Sequence, residues 1–511
     1  MLRTTASADV GVLIAGAGPT GLTLACELAV RGVRFRLVDR SAAFFGGSRA
    51  DGIQPRTLEV FAGLGVLDRI LAAGDFGIEM RAYRGGEVVW TGRMSEPTEP
   101  APSVPYPNPW FVPQFRTEEI LRERLAELGG RVEQPTGLSD FGQDAEGVTA
   151  TLSTGETVRA RYLVGADGGP STVRRRLGID FPGETDESTT MLFADARVDG
   201  IGRDHGRIWP GEDRPVSIVP LAGTDLFVVA ARPPVHDEPI REYLQRQITT
   251  ASGRADIVLR EITWHTTWRS NTRLATRFRD GRVLLAGDAA HVHPPTGGQG
   301  MNTGIQDGHN LGWKLAAALT GAAPVVLDSY EPERMSTART ALDISTALLR
   351  KHQRGDDDAH VRGPEVHGLA LNYRGGPLSR DERAAPGSLQ AGDRAPDAPV
   401  STAAGRVIRL FDLSQGPHWT LLSFGAAAEC PVDPAVHTYR VAEAAGERTL
   451  VDHDGHLRAA YDVPDGSLVL IRPDGYLGLI TGSAQGVTDY WADLHGTAEP
   501  PLLRSSPQAV R

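Results

Sequence analysis

Apolar and polar positions near the start of the chain set out a strand, a helix and a second strand. Val10–Ala15 is a short apolar run of strand length. Apolar residues at Leu22, Leu24, Ala25, Leu28 and Ala29 then predict a helix over Pro19–Arg31 with a wide apolar face. Val33–Val38 reads as the second strand. Helical spacing returns over Pro55–Leu64 and over Thr117–Leu128, where Ile120, Leu121, Leu125 and Leu128 share a side. Between these helices, residues 95–113 hold seven prolines, which predicts a long irregular connection. Residues 181–276 alternate as strands do, for example in Met191–Arg197, Pro215–Val219 and Leu226–Ala231, and read as an inserted, mainly β domain. Gly281–Asp288 returns to the first domain, and helices are predicted from about Gly304 to Arg350. Residues 353–402, rich in Gly, Pro, Asp and Arg, read as a partly mobile linker. Beyond them, Trp419–Phe424, His437–Val441, Thr449–Val451 and Leu468–Arg472 predict a smaller α/β domain.

The turn between the first strand and helix carries chemistry. It reads Gly16-Ala17-Gly18-Pro19-Thr20-Gly21, and Asp39 closes the second strand with Arg40 beside it. Gly16 permits the tight turn, Gly18 lets backbone approach a pyrophosphate, and Gly21 lets the helix pack closely on the strand. The free N–H groups of the helix N-terminus suit phosphate, and an acid about 20 residues on suits a ribose hydroxyl. This is the unit that binds the ADP half of a dinucleotide. No second GxGxxG follows a strand, so a nicotinamide cofactor has no such site of its own.

Composition narrows the picture. A length of 511 residues implies more than one domain. A net charge of −11 and a pI near 5.7 argue against nucleic-acid or anionic-membrane partners, and Arg174–Arg176 is too short a basic cluster to change that. The two cysteines, Cys26 and Cys430, are far apart and form no disulfide framework or zinc spacing, which suits a reducing, cytoplasmic setting. No signal peptide or apolar run of membrane-spanning length is read. His291 and His293 lack further ligands at motif spacing, so no metal is expected.

Two more segments join Gly16–Gly21 in a recognisable set. One is Gly165-Ala166-Asp167-Gly168 followed by Ser171-Thr172-Val173-Arg174. The other is Gly287-Asp288-Ala289-Ala290-His291 with Pro294-Pro295-Thr296-Gly297-Gly298-Gln299-Gly300-Met301-Asn302. Together, over residues 10–350, they resemble the single-component FAD-dependent aromatic hydroxylases of the p-hydroxybenzoate hydroxylase fold. Within that family the likeness is to aromatic polyketide hydroxylases, many of which carry a C-terminal thioredoxin-like domain.

The resemblance implies an α/β fold: a Rossmann-like FAD-binding domain over residues 1–75, 111–180 and 277–352, and a substrate-binding β domain over 76–110 and 181–276. A connection over 353–390 and a thioredoxin-like domain over 391–511 complete it. It implies FAD contacts from Gly16, Gly18, Pro19, Thr20, Gly21, Asp39, Arg40, Arg49, Gln114, Asp167, Gly168, Asp288, Pro295, Gly298, Gln299, Gly300, Met301 and Asn302. Arg49, Pro295 and Gly298 are placed nearest the chemistry. NADPH or NADH would act as a transient reductant, and a C4a-hydroperoxyflavin formed with O2 would hydroxylate a phenolic, multi-ring substrate. Epoxidation or Baeyer–Villiger oxygenation by the same fold, or an FAD-dependent reductase, are the alternatives. Trp209, Trp264 and Trp268 are candidates for an aromatic substrate pocket, with core packing as the other reading. Cys430 has no Cys-x-x-Cys partner, so the last domain is expected to be structural, and a homodimer is conceivable.

Overall fold

The computed structural model describes residues 9–211, 215–294, 296–354, 356, 358–402, 404–425, 433–442 and 448–495. Pro295 and Cys430 lie outside the described residues. Three eight-stranded sheets organise the remainder.

In the first sheet Val10–Ala15 lies between two parallel neighbours, Phe35–Val38 and Thr157–Gly165. Ala15 is in register with both Val38 and Gly165, and Gly165 with Leu285 of the parallel strand Val283–Leu285. Four strands remote in sequence therefore end at one edge. The chain then passes from these ends into Gly16, Asp39, Ala166–Asp167 and Gly287–Asp288. Ligands of open α/β sheets bind outside such carboxyl ends. The helix Pro19–Val30 covers the sheet and packs against a long buried helix, Gly300–Leu319. Their closeness depends on Gly304, Gly308 and Gly312, spaced four apart on one face. A side chain at Gly308 would stand 2.7 Å from the Thr20 carbonyl oxygen, and side chains at Gly304 and Gly312 would collide with Thr20 and Glu27.

The middle sheet is built on two long antiparallel strands, Gly183–Asp199 and Val258–Leu274. Residues Met80–Arg84 and Glu87–Gly92 join its far edge. At the near edge His291–Val292 pairs with Arg273–Leu274, so the turn after Leu285 is stitched to this sheet. The third sheet is mixed: Trp419–Phe424 runs parallel to Val436–Ala442 and antiparallel to Leu468–Ile471.

Three expectations change. The predicted helix Thr117–Leu128 begins at Gln114, with extended Pro113 supplying the residue before its first turn, and the Gly304 helix begins at Gly300. The stretch read as a loose linker is packed: Val366, Tyr373 and Leu378 are buried. Its glycines and prolines shape an irregular path, while these apolar side chains hold it down.

The segment leading into the third sheet is fastened to the helix Pro55–Gly63 by buried charge. Glu59 accepts from Arg56 Nη1 at 2.7 Å and from Arg394 Nε at 2.8 Å. The flanking cations hold the Glu59 carboxyl below its usual range against the burial that would raise it. Glu59→Ala leaves two buried guanidinium groups unpaired and is expected to cost about 3–5 kcal/mol in denaturant unfolding; a loss under about 1 kcal/mol would show that the guanidinium groups find other partners.

Candidate active site

The glycine turn is shaped by close backbone approach. Gly16 adopts φ +108°, and a side chain there would collide with the Ala166 carbonyl. At Gly21 it would collide with the Gly16 carbonyl. Gly18 differs: a side chain there would meet nothing within 4 Å. It is the N-cap of the helix that opens at Pro19, with no side chain capping its first N–H groups. Open space before an uncapped helix N-terminus is what a pyrophosphate requires. Asp39 accepts from the N–H groups of Ala17 and Ser41, each at 2.8 Å, and retains acceptor capacity for a hydroxyl. Arg40 beside it is exposed.

Asp167 is occupied by its own turn. It accepts from the Ser171 hydroxyl (2.5 Å) and from the N–H groups of Thr172 (2.6 Å) and Val173 (3.2 Å), fixing the start of the helix Thr172–Arg176. Gly168 follows with φ +79° and open space around it. Arg174 donates to Gly169 O (2.7 Å) and Ala289 O (2.8 Å), tying this turn to the next one.

That next turn carries Gly287 at φ +61°, close against Thr20, and Asp288. The Asp288 side chain is open to solvent, yet dense protein around it raises its carboxyl pKa, opposed by His291 and Arg49. A carboxylate both accessible and desolvated projects into a recess. Downstream, Gly297 (φ +99°) and Gly298 (φ +62°) lead into Gln299 and the Gly300 helix, again without a side-chain cap. Asn302 clamps this loop: its Nδ2 donates to Gly52 O (2.8 Å) and Gly298 O (2.6 Å), and its Oδ1 accepts from Gln54 N (2.8 Å). Gln299 donates to Gly297 O (2.8 Å) and Val366 O (3.0 Å), and Met301 packs on the first core.

Arg49 lies on the loop after the first β-α-β unit, 4.6 Å from the Phe45 ring. Its charge acts on Asp288 and on Glu118, whose carboxyl burial pushes up to about 7 and whose partner is Gln114 Nε2 at 2.8 Å. The Arg49 loop thus lies between the Gln114 helix and the Asp288 turn. It is held to the middle sheet by Ser48, whose N–H and hydroxyl both donate to buried Asp195 (2.7 and 2.5 Å). Trp264 packs edge-on to Phe45 at 5.6 Å and fills the space a side chain at Gly47 would need. Trp268 is half-buried on the same face of its strand. Trp209 is elsewhere, buried in the middle-sheet core and stacked on Tyr83 at 5.8 Å.

Polar groups around the recess fit a dinucleotide bearing a flavin. Gln54 Oε1, His291 Nδ1 and His293 Nε2 are buried without a hydrogen-bonding partner in the protein. Gln54 and His293 lie at the Gly298–Gly300 loop, where Gln54 Nε2 and His293 Cε1 stand 3.4 and 3.5 Å from where side chains at Gly298 and Gly300 would begin, and the His291 ring lies 6.3 Å from that of His293. Buried polar atoms without partners mark a place for a polar ligand. Burial and the neighbouring His291 hold His293 neutral, down to about 4.

Sequence reading missed several residues here. Asp307 accepts from Gly287 N (2.9 Å) and Arg334 Nε (2.6 Å) and pairs with His291 Nε2 (2.7 Å). Its signal was present: Thr303, Asp307, Asn310 and Lys314 form a polar stripe at helical spacing along a helix otherwise buried. Asp51, half-buried on the Arg49 loop, was missed for want of any pattern. Burial, with Asp195 adding, pushes its carboxyl up to about 6.

Comparison with known proteins agrees with this geometry. The model of the FAD binding domain family matches residues 9–345. A flavin-dependent monooxygenase of Mycobacteroides abscessus is 43% identical over 493 residues, spanning 94% of this chain and 99% of that protein. The chain belongs to the FAD-binding flavin-dependent monooxygenases. A 12-dehydrotetracycline 5-monooxygenase/anhydrotetracycline 6-monooxygenase of Streptomyces rimosus is 35% identical, over 91% of this monooxygenase and 94% of its own length. The crystal structure of aklavinone-11 hydroxylase with FAD and aklavinone superposes with a TM-score of 0.81 at 28% identity, covering 95% of this chain and 99% of that one.

Two outcomes are expected. Gly18→Ala has room for its methyl and should leave the stability of FAD-free protein within about 0.5 kcal/mol, yet weaken FAD binding tenfold or more by filling phosphate space, about 1.4 kcal/mol. Gly21→Ala, in contrast, should fail to fold stably, because its methyl meets backbone that cannot yield. Flavin-fluorescence titration and thermal melts read both, and equal FAD affinity of Gly18→Ala and wild type would refute the assignment. The second outcome concerns pH. Because folding raises the Asp51 pKa from 3.8 to about 6, the fold favours the protonated form. The charged form therefore costs nothing below about pH 4, and its cost grows as pH rises through about 6. Asp51→Asn should make FAD-free protein more stable at pH 7.5 by about 1–3 kcal/mol and leave it unchanged at pH 4. Urea melts at the two pH values check this.

Proposed function

We propose that this monooxygenase uses NAD(P)H and O2 to hydroxylate a phenolic, multi-ring aromatic compound. The observation that carries the reading is the convergence of the turns after Ala15, Gly165 and Leu285 at one sheet edge, with a single dinucleotide turn among the described residues and in the sequence. A lone dinucleotide site suits a resident FAD and a nicotinamide that visits and leaves. The relatives support the substrate class through their names: one acts on tetracycline intermediates, and another, 33% identical, is a pentachlorophenol 4-monooxygenase.

FAD, when bound, would supply the redox chemistry, namely hydride acceptance from the nicotinamide and transfer of one oxygen atom from O2. The chain's own part is to bind, orient and exclude water. Gly16–Gly21 and Asp39 hold the ADP half, and Asp288 accepts from a ribityl or ribose hydroxyl. The uncapped N-terminus of the Gly300 helix, with Gly298 and Gln299 before it, would stabilise negative charge on the bound cofactor by about 0.3–1 kcal/mol, more where water is excluded. Arg49 adds a cation on the nicotinamide side. Trp264 packs against Phe45 and Gly47 and covers that part of the loop, where entering water would divert oxygen to hydrogen peroxide. In this reading the middle sheet, with residues 76–110, forms the substrate domain. Residues 391–511 are read as thioredoxin-like, supported by the parallel and antiparallel pairing around Trp419–Phe424.

Purified protein should be yellow with bound FAD. It should oxidise NADPH or NADH faster when a polycyclic phenol is present, and label from 18O2 should enter the product. Colourless protein that takes up no FAD, or phenol-stimulated turnover yielding only hydrogen peroxide with every polycyclic phenol tried, sinks the proposal.

A further inference from the structure

We propose that the C-terminal domain positions the Gly287–Asp288 turn, and so sets the grip on FAD, through two buried ion-pair clusters joined by adjacent residues of one helix. The proposal rests on the FAD-binding reading of that turn. The line begins at Arg472 and Asp474, on the turn between the strands Leu468–Ile471 and Leu477–Thr481. Arg472 donates from Nη1 and Nη2 to the two oxygens of Glu333 at 2.8 and 2.9 Å. It also donates to both oxygens of Asp474, at 3.0 Å from Nε and 2.6 Å from Nη2. Asn310 Nδ2 bridges Glu333 (2.9 Å) and Asp474 (3.0 Å), and Lys314 Nζ donates to Glu333 at 2.5 Å.

The next step is one residue along the helix Tyr330–Arg354. Arg334 Nε donates to Asp307 Oδ1 at 2.6 Å, while its Nη1 donates to Tyr373 Oη at 2.9 Å. Asp307 Oδ2 then takes the Gly287 N–H and faces His291 Nε2. Three basic side chains of this line, Arg472, Lys314 and Arg334, meet three carboxylates, Glu333, Asp474 and Asp307, and each of the six side chains is at most 1% exposed.

Such pairs transmit position because they cannot slide. A buried ion pair loses its Coulombic gain unless its hydrogen bonds stay aligned, and no water is at hand to replace a lost partner. A shift of Asp474 moves Arg472 and hence Glu333. Glu333 carries Arg334, its neighbour in the same helical turn. Arg334 carries Asp307, which decides whether Gly287 keeps its left-handed backbone and Asp288 its aim. Arg472 and Asp474 are thus positioning residues: they touch no reacting atom.

The test uses the full chain and FAD itself. Asp474→Asn keeps volume and shape but removes a charge at the far end of the line. It should weaken FAD about tenfold in a fluorescence titration of FAD-free protein and alter the flavin absorption band. Leu457→Ala empties the C-terminal core away from these charges. It should lower the melting temperature at least as much, yet keep FAD affinity within about twofold. With Asp307→Asn as partner, the two substitutions should be non-additive, the double variant binding FAD about as weakly as the weaker single one. Where Asp474→Asn does not fold, Arg472→Lys is read in the same way. Unchanged FAD affinity, additive losses, or losses that follow melting temperature in Leu457→Ala as well would overturn the proposal. Wild-type protein that binds no FAD would instead remove the functional reading, before any substitution is made.

Discussion

One buried carboxylate orders the flavin half of this molecule. Asp307 receives Arg334 on one oxygen, and the Gly287 N–H and His291 on the other. Arg334 and His291 hold it ionised against complete burial. A carboxylate in that position is costly unless all its partners stay in place, so its surroundings have little freedom. Asp307 also belongs to the helix whose first turn follows the Gly297–Gly298 loop. The same charge therefore fixes the turn before the recess and the helix beyond it. Asp288 and the Gly298–Gly300 backbone keep their relative positions because both are referred to one point.

The glycine seam makes that arrangement possible. Gly304, Gly308 and Gly312 let the Gly300 helix settle against the first helix, with Thr20 reaching both Gly287 and Gly304. Any side chain along the seam would push the helices apart and carry Asp307 away from Gly287. The dinucleotide turn and the Asp288 turn are thus registered twice, by their strands in the sheet and by this helix pair above it. A cofactor lying across both turns meets a frame already set, and little conformational entropy is left to lose on binding.

How much of this could be read in the sequence follows from what kind of interaction each residue makes. Gly16, Gly18 and Gly21 were legible because their constraint is local: a turn of fixed geometry leaves a fixed spacing. The same holds for the first strands and helices, whose periodicity reflects one buried face. Asp307 and Arg334 were not singled out, because each is explained by partners remote in sequence, including the other 27 residues away, and by the burial of both. Even so, the polar stripe of the Gly300 helix was a visible anomaly on a buried helix. Trp209 and Trp264 show the opposite limit. Both sit in β segments of similar composition, but one packs inward on Tyr83 and the other outward on Phe45, and only strand register separates them. The stretch after residue 353 misled for a related reason. Its composition describes backbone irregularity, whereas Tyr373 and Leu378 decide that it is packed.

The middle sheet meets this frame at two mechanical points. Ser48 binds Asp195 from the Arg49 loop, and His291–Val292 adds a short strand to Arg273–Leu274. Both points lie on the two long strands, near register shifts at Asp186/Thr190 and Asp195/Ala196. Bulges of this kind bend a strand and re-aim its side chains. A ligand that altered the curvature there would move Arg49 through Ser48 and press on His291 through its paired strand. The two ends respond unequally. His291 is buried and braced by Asp307, while Arg49 stands exposed on a loop held by Ser48, by Trp264 and by the backbone bonds from Gln114 and Val112 to Ala50 and Asp51. Strain entering from the middle sheet would therefore be taken up at the Arg49 side chain before the buried His291 end.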